Sequence, residues 1–197
     1  MGQLLDLDRK VFPEFHQIDL ETTKTRLQIN SQTDIAVFDG ITLMGYISLY
    51  PIPGCIFNDI KTGLFNEHKV EQNTLPYKEI GVYDSYLCGI AIDKELYPRF
   101  KSRFLIEQLQ KHLLKLKKRG VFIRRIIAHA VSIAGRKTLQ KMNFKEVKPN
   151  IFMYNCFKQG FLFLKNKCLL HPSLDVPQRQ IVLNRPNNRF NVWDGDP

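Results

Sequence analysis

Between Val82 and Phe144 the chain alternates a β-type run, a basic turn, an amphipathic helical run, a second β-type run and a second helical run. A strand–helix–strand unit of this length closes as a parallel pair with a right-handed crossover, which commits the chain to a sheet with helices packed on it. The first strand is expected at about 80–92. A helix over 103–119 follows, with Leu105, Leu109, Leu113 and Leu116 on one stripe and lysines opposite. Gly120 ends it as a left-handed cap. The second strand is expected over 122–130, and the second helix over about 132–142 with Ser132 as its N-cap.

The flanking segments extend this picture. Residues 4–29 read as helical, broken by Pro13. Residues 34–52 read as a hairpin turning at Asp39-Gly40. Pro53, Gly54, Gly63 and Pro76 make 53–78 read as a long loop with about one helical turn. Residues 144–158 suggest a further strand or hairpin around Ile151–Cys156. These readings give a domain over 1–158 and a C-terminal extension over 159–197. The extension opens on Phe161–Leu164, carries Trp193, and has three open roles: completing the sheet, meeting a second subunit, or gating a cleft. At 44% hydrophobic residues the chain can bury a substantial core. No run approaches the roughly 18 apolar residues of a membrane span, and Asp6 and Asp8 interrupt any signal-peptide pattern. Asp6 also removes a myristoylation match at Met1-Gly2. Cys55, Cys88, Cys156 and Cys168 show neither C-x-x-C nor zinc spacing. Free thiols in the cytoplasm, and no metal, are the expectation.

Charge is concentrated. Residues 94–148 hold 16 Lys/Arg against three acids, a net +13, whereas the other 142 residues sum to −3. Such asymmetry points to an anionic partner. Arg99, Lys101 and Arg103 crowd the turn before the Leu-striped helix, where free N–H groups and the helix dipole already favour a phosphate. The lysines at 111, 115, 117 and 118 fit a solvated helix face equally well.

With the elements in this order, residues 5–158 resemble the GNAT superfamily of acyl-CoA-dependent N-acyltransferases. The hairpin with Asp39-Gly40 and Met44-Gly45-Tyr46 is similar to the family's dG-x-x-x-G-y stretch. Arg99, Ser102 and Phe104 fall in register with its pyrophosphate loop, and Ser132, Gly135, Leu139 and Asn143-Phe144 with its later box. The resemblance implies an α/β (α+β) fold, a mixed, mostly antiparallel twisted sheet flanked by helices. It implies that acetyl-CoA or another acyl-CoA lies against a bulge near Gly89, with Ile90, Ala91 and Ile92 on the pantetheine arm. Arg99, Lys101, Ser102 and Arg103 would hold the pyrophosphate, with Ser132 nearby. Leu139 stands where the family often has a Tyr acid and cannot donate a proton.

Acylating an amine requires a base for the amine and a proton for the departing thiolate. Asp84 is one candidate base, since burial in an apolar strand raises a carboxyl pKa. His129 is the other, at the end of the next strand. Tyr83 and Tyr86 are the nearby phenols for the missing acid, each also readable as packing, and Cys88 lacks a paired base. The reading is an N-acyltransferase, in the first instance an acetyltransferase, working by direct attack of a bound amine. The acceptor is open, with aminoacylated tRNA or another nucleic-acid-bound amine compatible with the charge, and a homodimer is also open. The alternative is a catalytically silent GNAT-like protein that uses its basic face for nucleic acid or a protein partner.

Overall fold

A parallel strand pair, β3 (Gly81–Ile92) and β4 (Val121–His129), lies inside a sheet of seven described strands, and the other described elements are arranged around it. The computed structural model describes residues 1–156, apart from 18, 78 and 79, together with residues 181–183. Before the pair come α1 (Gly2–Val11), a short 3₁₀ turn (Glu14–His16), α2 (Leu20–Ile29), β1 (Asp34–Asp39), β2 (Thr42–Ile52), α3 (Gly54–Thr62) and α4 (Glu67–Gln72). Within and after it come α5 (Ser102–Lys118), α6 (Ile133–Lys141), β5 (Lys145–Lys148), β6 (Ile151–Asn155) and β7 (Ile181–Leu183). Among the described residues the strand order is β5-β6-β4-β3-β2-β1-β7, and only the β3–β4 pairing is parallel. The sheet is therefore mixed and mostly antiparallel, with its elements in the order that the GNAT resemblance implies.

The hairpin and the crossover follow from local chemistry. Gly40 supplies a φ of 57° in the β1–β2 turn. The leucine stripe of α5 is almost wholly buried against one face of the sheet, each of its four leucines at 1% exposure or less. Each such burial contributes roughly 1.5–3 kcal/mol. Leu139, Met142 and Phe144 join the same cluster, and Asn143 takes the left-handed conformation (φ 62°) that lets the chain turn between them. Phe57, Ile60 and Val70 cover the other face together with Tyr50, Tyr86 and Ile127. Covered on both faces, β2 is buried along nearly its whole length.

One expectation needs correction. Residues 53–78 are not mainly loop, for they carry α3 and α4. Pro53 sets the start of α3, Gly63 ends it in the left-handed region (φ 75°), and packing of Phe57 and Ile60 supplies what propensity does not. Residues 181–183 pair antiparallel with β1 and extend the sheet at that edge, while Phe161–Leu164, Cys168 and Trp193 lie outside the described residues. No helix among the described residues is long and apolar enough to cross a membrane. Cys55, Cys88 and Cys156 are free thiols.

The stripe of α5 also buries His112, at 5% exposure, with no hydrogen-bond partner for Nε2 among the described residues. Burial, reinforced by Lys115 and Arg119, pushes its pKa down to about 4. The unfolded chain therefore binds a proton below pH 6.5 that the folded chain refuses, and stability falls as pH drops from 6.5 toward 4. The expected loss is about 3 kcal/mol over that window. Urea unfolding of His112→Leu should lack this component. An identical pH dependence in the two proteins would show that the imidazole is protonated in the fold.

Candidate active site

β3 and β4 pair from Gly81↔Val121 to Leu87↔Ala128, with a register shift between Tyr83 and Asp84, and then part. On its other edge β3 slips against β2 at Cys88, since Ser48 faces Gly89 but Leu49 faces Leu87. The bulge twists β3 away from β4, so Cys88–Ile92 continue with no partner in β4. A wedge opens between two parallel strands, with main-chain polar groups along one wall. Gly45 of β2 keeps that wall in place, because a Cβ there would lie 2.6 Å from the Ala91 carbonyl oxygen. Ala91 packs toward Tyr46 and Leu7 of α1, while Ile90 and Ile92 lean on the opposite core.

Beyond the wedge the chain makes a tied bend. Asp93 accepts from the Leu96 amide at 3.0 Å and meets Lys10 of α1 at 3.3 Å. The Lys94 ammonium donates to the Phe100 carbonyl, and buried Phe100 packs on Phe104. Helix α5 then begins at Ser102 with no side chain capping it. Arg99 and Lys101 are exposed beside this end and form no ion pair among the described residues, whereas Arg103 pairs with Glu107 at 3.0 Å. Ser132 caps α6, its Oγ accepting from the Gly135 amide at 3.0 Å.

A cleft of about 520 Å³ lies at the C-terminal end of β4, lined by His129, Glu67, His16, Phe15, Phe65 and Lys148 among others. Glu67 is its hub. His16 Nδ1 is 2.6 Å from one carboxylate oxygen, and His129 Nδ1 is 3.2 Å from the other. The Tyr86 hydroxyl donates to that second oxygen at 3.1 Å. Burial alone would raise the Glu67 pKa, but the hydrogen bonds from His129, His16 and Tyr86 outweigh it and leave it below its ordinary value. An ionised carboxylate only accepts, so both imidazoles carry hydrogen on Nδ1, and each neutral ring keeps an Nε2 lone pair for proton transfer. His16 and Glu67 also line a second cavity of about 20 Å³, room for about one water, with Asp8, Tyr46, Cys88 and Gly89. That cavity shares His16 and Glu67 with the cleft and has Cys88 and Gly89, at the bulge, in its own wall. Among the described residues, no group of His, Cys, Asp and Glu is arranged to hold a metal ion.

Of the residues singled out by sequence, the fold brings His129 into this cleft and places Tyr86 behind it. Tyr86 is 1% exposed, burial and Glu67 push its pKa well up, and its hydroxyl is committed to Glu67. That bond holds the hydroxyl on the carboxylate. At Asp84 the expected rise in pKa is corrected. Burial does act to raise its pKa, but Arg125 and Arg124 each grip both carboxylate oxygens, at 2.5–3.0 Å, and hold it below the usual range. It lines neither cavity, and it is a strongly paired anion, ill suited to take a proton. Burial pushes the Cys88 thiol well up, which removes it as a nucleophile. His16 and Glu67 went unmarked in the sequence. The available signal is Asn66 before Glu67, a helix-start pair inside a stretch rich in loop formers.

No protein-family model matches the chain, and no curated protein matches it. Among solved structures it is similar to the loading GNATL domain of CurA from Lyngbya majuscula, with 17% identity over 74% of this chain and 69% of that one, and a TM-score of 0.48. It is also similar to AtaT complexed with acetyl-methionyl-tRNAfMet, with 15% identity over 72% of this chain and 79% of that one, and a TM-score of 0.41.

Proposed function

We propose that this protein transfers an acyl group, in the first instance acetyl, from a coenzyme A thioester to an amine. The observation that supports the reading best is the small cavity lined by Cys88 and Gly89, where β3 has left β4, which shares His16 and Glu67 with the larger cleft. The thioester supplies an activated acyl group and a thiol leaving group. Main-chain groups of Ile90, Ala91 and Ile92 would hold the pantetheine arm along the wedge. The first-turn amides of α5 at Ser102 and Arg103, with Arg99 and Lys101, would hold the pyrophosphate. Ser132, the N-cap of α6, would stand beside the same ligand.

His16 takes the amine proton, because it is the imidazole that borders both cavities, and Glu67 holds its tautomer. His129 shares Glu67 and keeps the carboxylate aimed. As the C–N bond forms, the C–S bond breaks and the thiolate departs. Its conjugate acid has a pKa of about 8.5, so it can leave without a dedicated acid near neutral pH. Leu139, buried in the core, is therefore no obstacle to turnover.

Calorimetry tests the donor half. Coenzyme A should bind with micromolar affinity, and Arg99→Glu with Arg103→Glu should weaken it at least tenfold by placing like charge beside the phosphates. Unchanged affinity in that variant would move the pyrophosphate elsewhere. No affinity for coenzyme A, together with salt-dependent tRNA binding, would replace this reading with that of a silent nucleic-acid binder.

A further inference from the structure

The Glu67 cleft is lined by two opposite charges and by apolar side chains. Among the described lining residues Glu67 is the one carboxylate and Lys148 the one ammonium, with Phe15, Phe65, Pro149 and Ile151 supplying apolar surface. Lys148 donates to the Thr62 carbonyl at the C-terminal end of α3, where a cation is favoured. That contact uses one of its three donors. Lys148 makes no ion pair among the described residues, and Glu146, its near neighbour, is bonded to Arg136. Phe65 stands edge-on to His129, with ring centroids 5.4 Å apart, so an apolar surface reaches up to the imidazoles. Phe15 is 75% exposed and Leu64, beside Phe65, is 79% exposed, so the mouth is apolar too.

We infer that the acceptor is a small zwitterionic amine of the amino-acid class, bearing an aromatic or bulky apolar side chain. This rests on the transferase reading and names its acceptor. The amine enters as an ammonium drawn to Glu67, the side chain lies on Phe65 and Phe15, and the anionic group meets Lys148. The volume of about 520 Å³ suits a ligand of this size and not a folded partner. A polyamine fits poorly, since its second cation would be driven toward Lys148. A plain arylalkylamine would bind through Glu67 and the aromatic wall, without using Lys148.

The test is equilibrium binding to the full chain, with L-phenylalanine, 2-phenylethylamine and spermidine as probes. Phenylalanine should bind tightest. Lys148→Met should weaken phenylalanine about tenfold, the loss of one charged hydrogen bond, and leave 2-phenylethylamine unchanged. The unchanged arm excludes a general collapse at the end of α3, which thermal melting checks as well. Spermidine binding more tightly than phenylalanine, or phenylalanine affinity indifferent to Lys148→Met, overturns the inference. Coenzyme A titrated in parallel separates the two proposals. Coenzyme A binding with no preference for phenylalanine sinks only the acceptor class. Phenylalanine binding without coenzyme A binding sinks the transferase reading and keeps the amino-acid site.

Discussion

Glu67→Gln is expected to lower kcat for acyl transfer at least 100-fold, the scale of a lost general base, while leaving coenzyme A affinity within twofold. Glu67 takes no proton in this scheme. It receives hydrogen bonds from His16, His129 and Tyr86, and its lowered pKa keeps it an acceptor at neutral pH. A glutamine of equal size presents an NH₂ as well as an oxygen. Where the NH₂ faces His16 Nδ1, that nitrogen must accept, and the ring proton moves to Nε2. The base then points its hydrogen at the amine it should deprotonate. The loss should therefore fall on kcat more than on KM.

Two further readouts separate this from a merely structural effect. The acid limb of the wild-type pH–rate profile should not belong to Glu67, whose pKa is held below its ordinary value. In Glu67→Gln that limb should shift or vanish, whereas a variant that is only partly unfolded would keep it at lower amplitude. His16→Asn should cost more than His129→Asn, because only His16 borders the cavity that has Cys88 and Gly89, at the bulge, in its wall. The reverse order would transfer the base to His129.

The split between what the sequence declares and what it hides is physical. The Leu stripe of α5 and the Asp-Gly turn are local signals, and each appears where its pattern places it. The order of elements, and with it the wedge, is likewise readable from the chain. The site is less so, because its parts meet only in three dimensions. His16, Glu67 and His129 come from a 3₁₀ turn, a six-residue helix and a strand end, 51 and 62 residues apart where they touch Glu67. Asp84 shows the same limit from the other side. Its burial is evident from its apolar neighbours, but the Arg125 that reverses its pKa faces it only through the parallel register. Propensity also misleads at α3 and α4, where tertiary packing overrides a loop-like composition.

Arg26→Met is expected to destabilise the fold by about 3–5 kcal/mol, the cost of leaving buried charge without its partner. The guanidinium has no exposed side-chain surface. It donates from Nε to Glu71 at 2.6 Å, and from Nη1 to Asp34 at 2.6 Å and to Thr33, and it stacks 4.5 Å over the Tyr50 ring. Without Arg26, the carboxyls of Glu71 and Asp34 lose the attraction that favours their charged forms. Burial already raises the Glu71 pKa with Arg26 present, and it must rise further without it. A carboxyl whose folded pKa exceeds its unfolded value favours the fold at low pH and loses that contribution as pH rises through the folded pKa. The deficit of Arg26→Met should therefore be smaller at pH 5 than at pH 8 by urea unfolding, and a deficit independent of pH would deny the uncompensated carboxyls. Adding Glu71→Leu to Arg26→Met should recover part of the loss, a non-additivity expected of contacting residues. Glu71 and Glu67 stand one turn apart on α4, whose six residues cannot hold a helix by propensity. The Arg26–Glu71 pair is thus the tether of the helix that presents Glu67, and amides of α4 in Arg26→Met should exchange faster than those of α5, with kcat falling before the global transition.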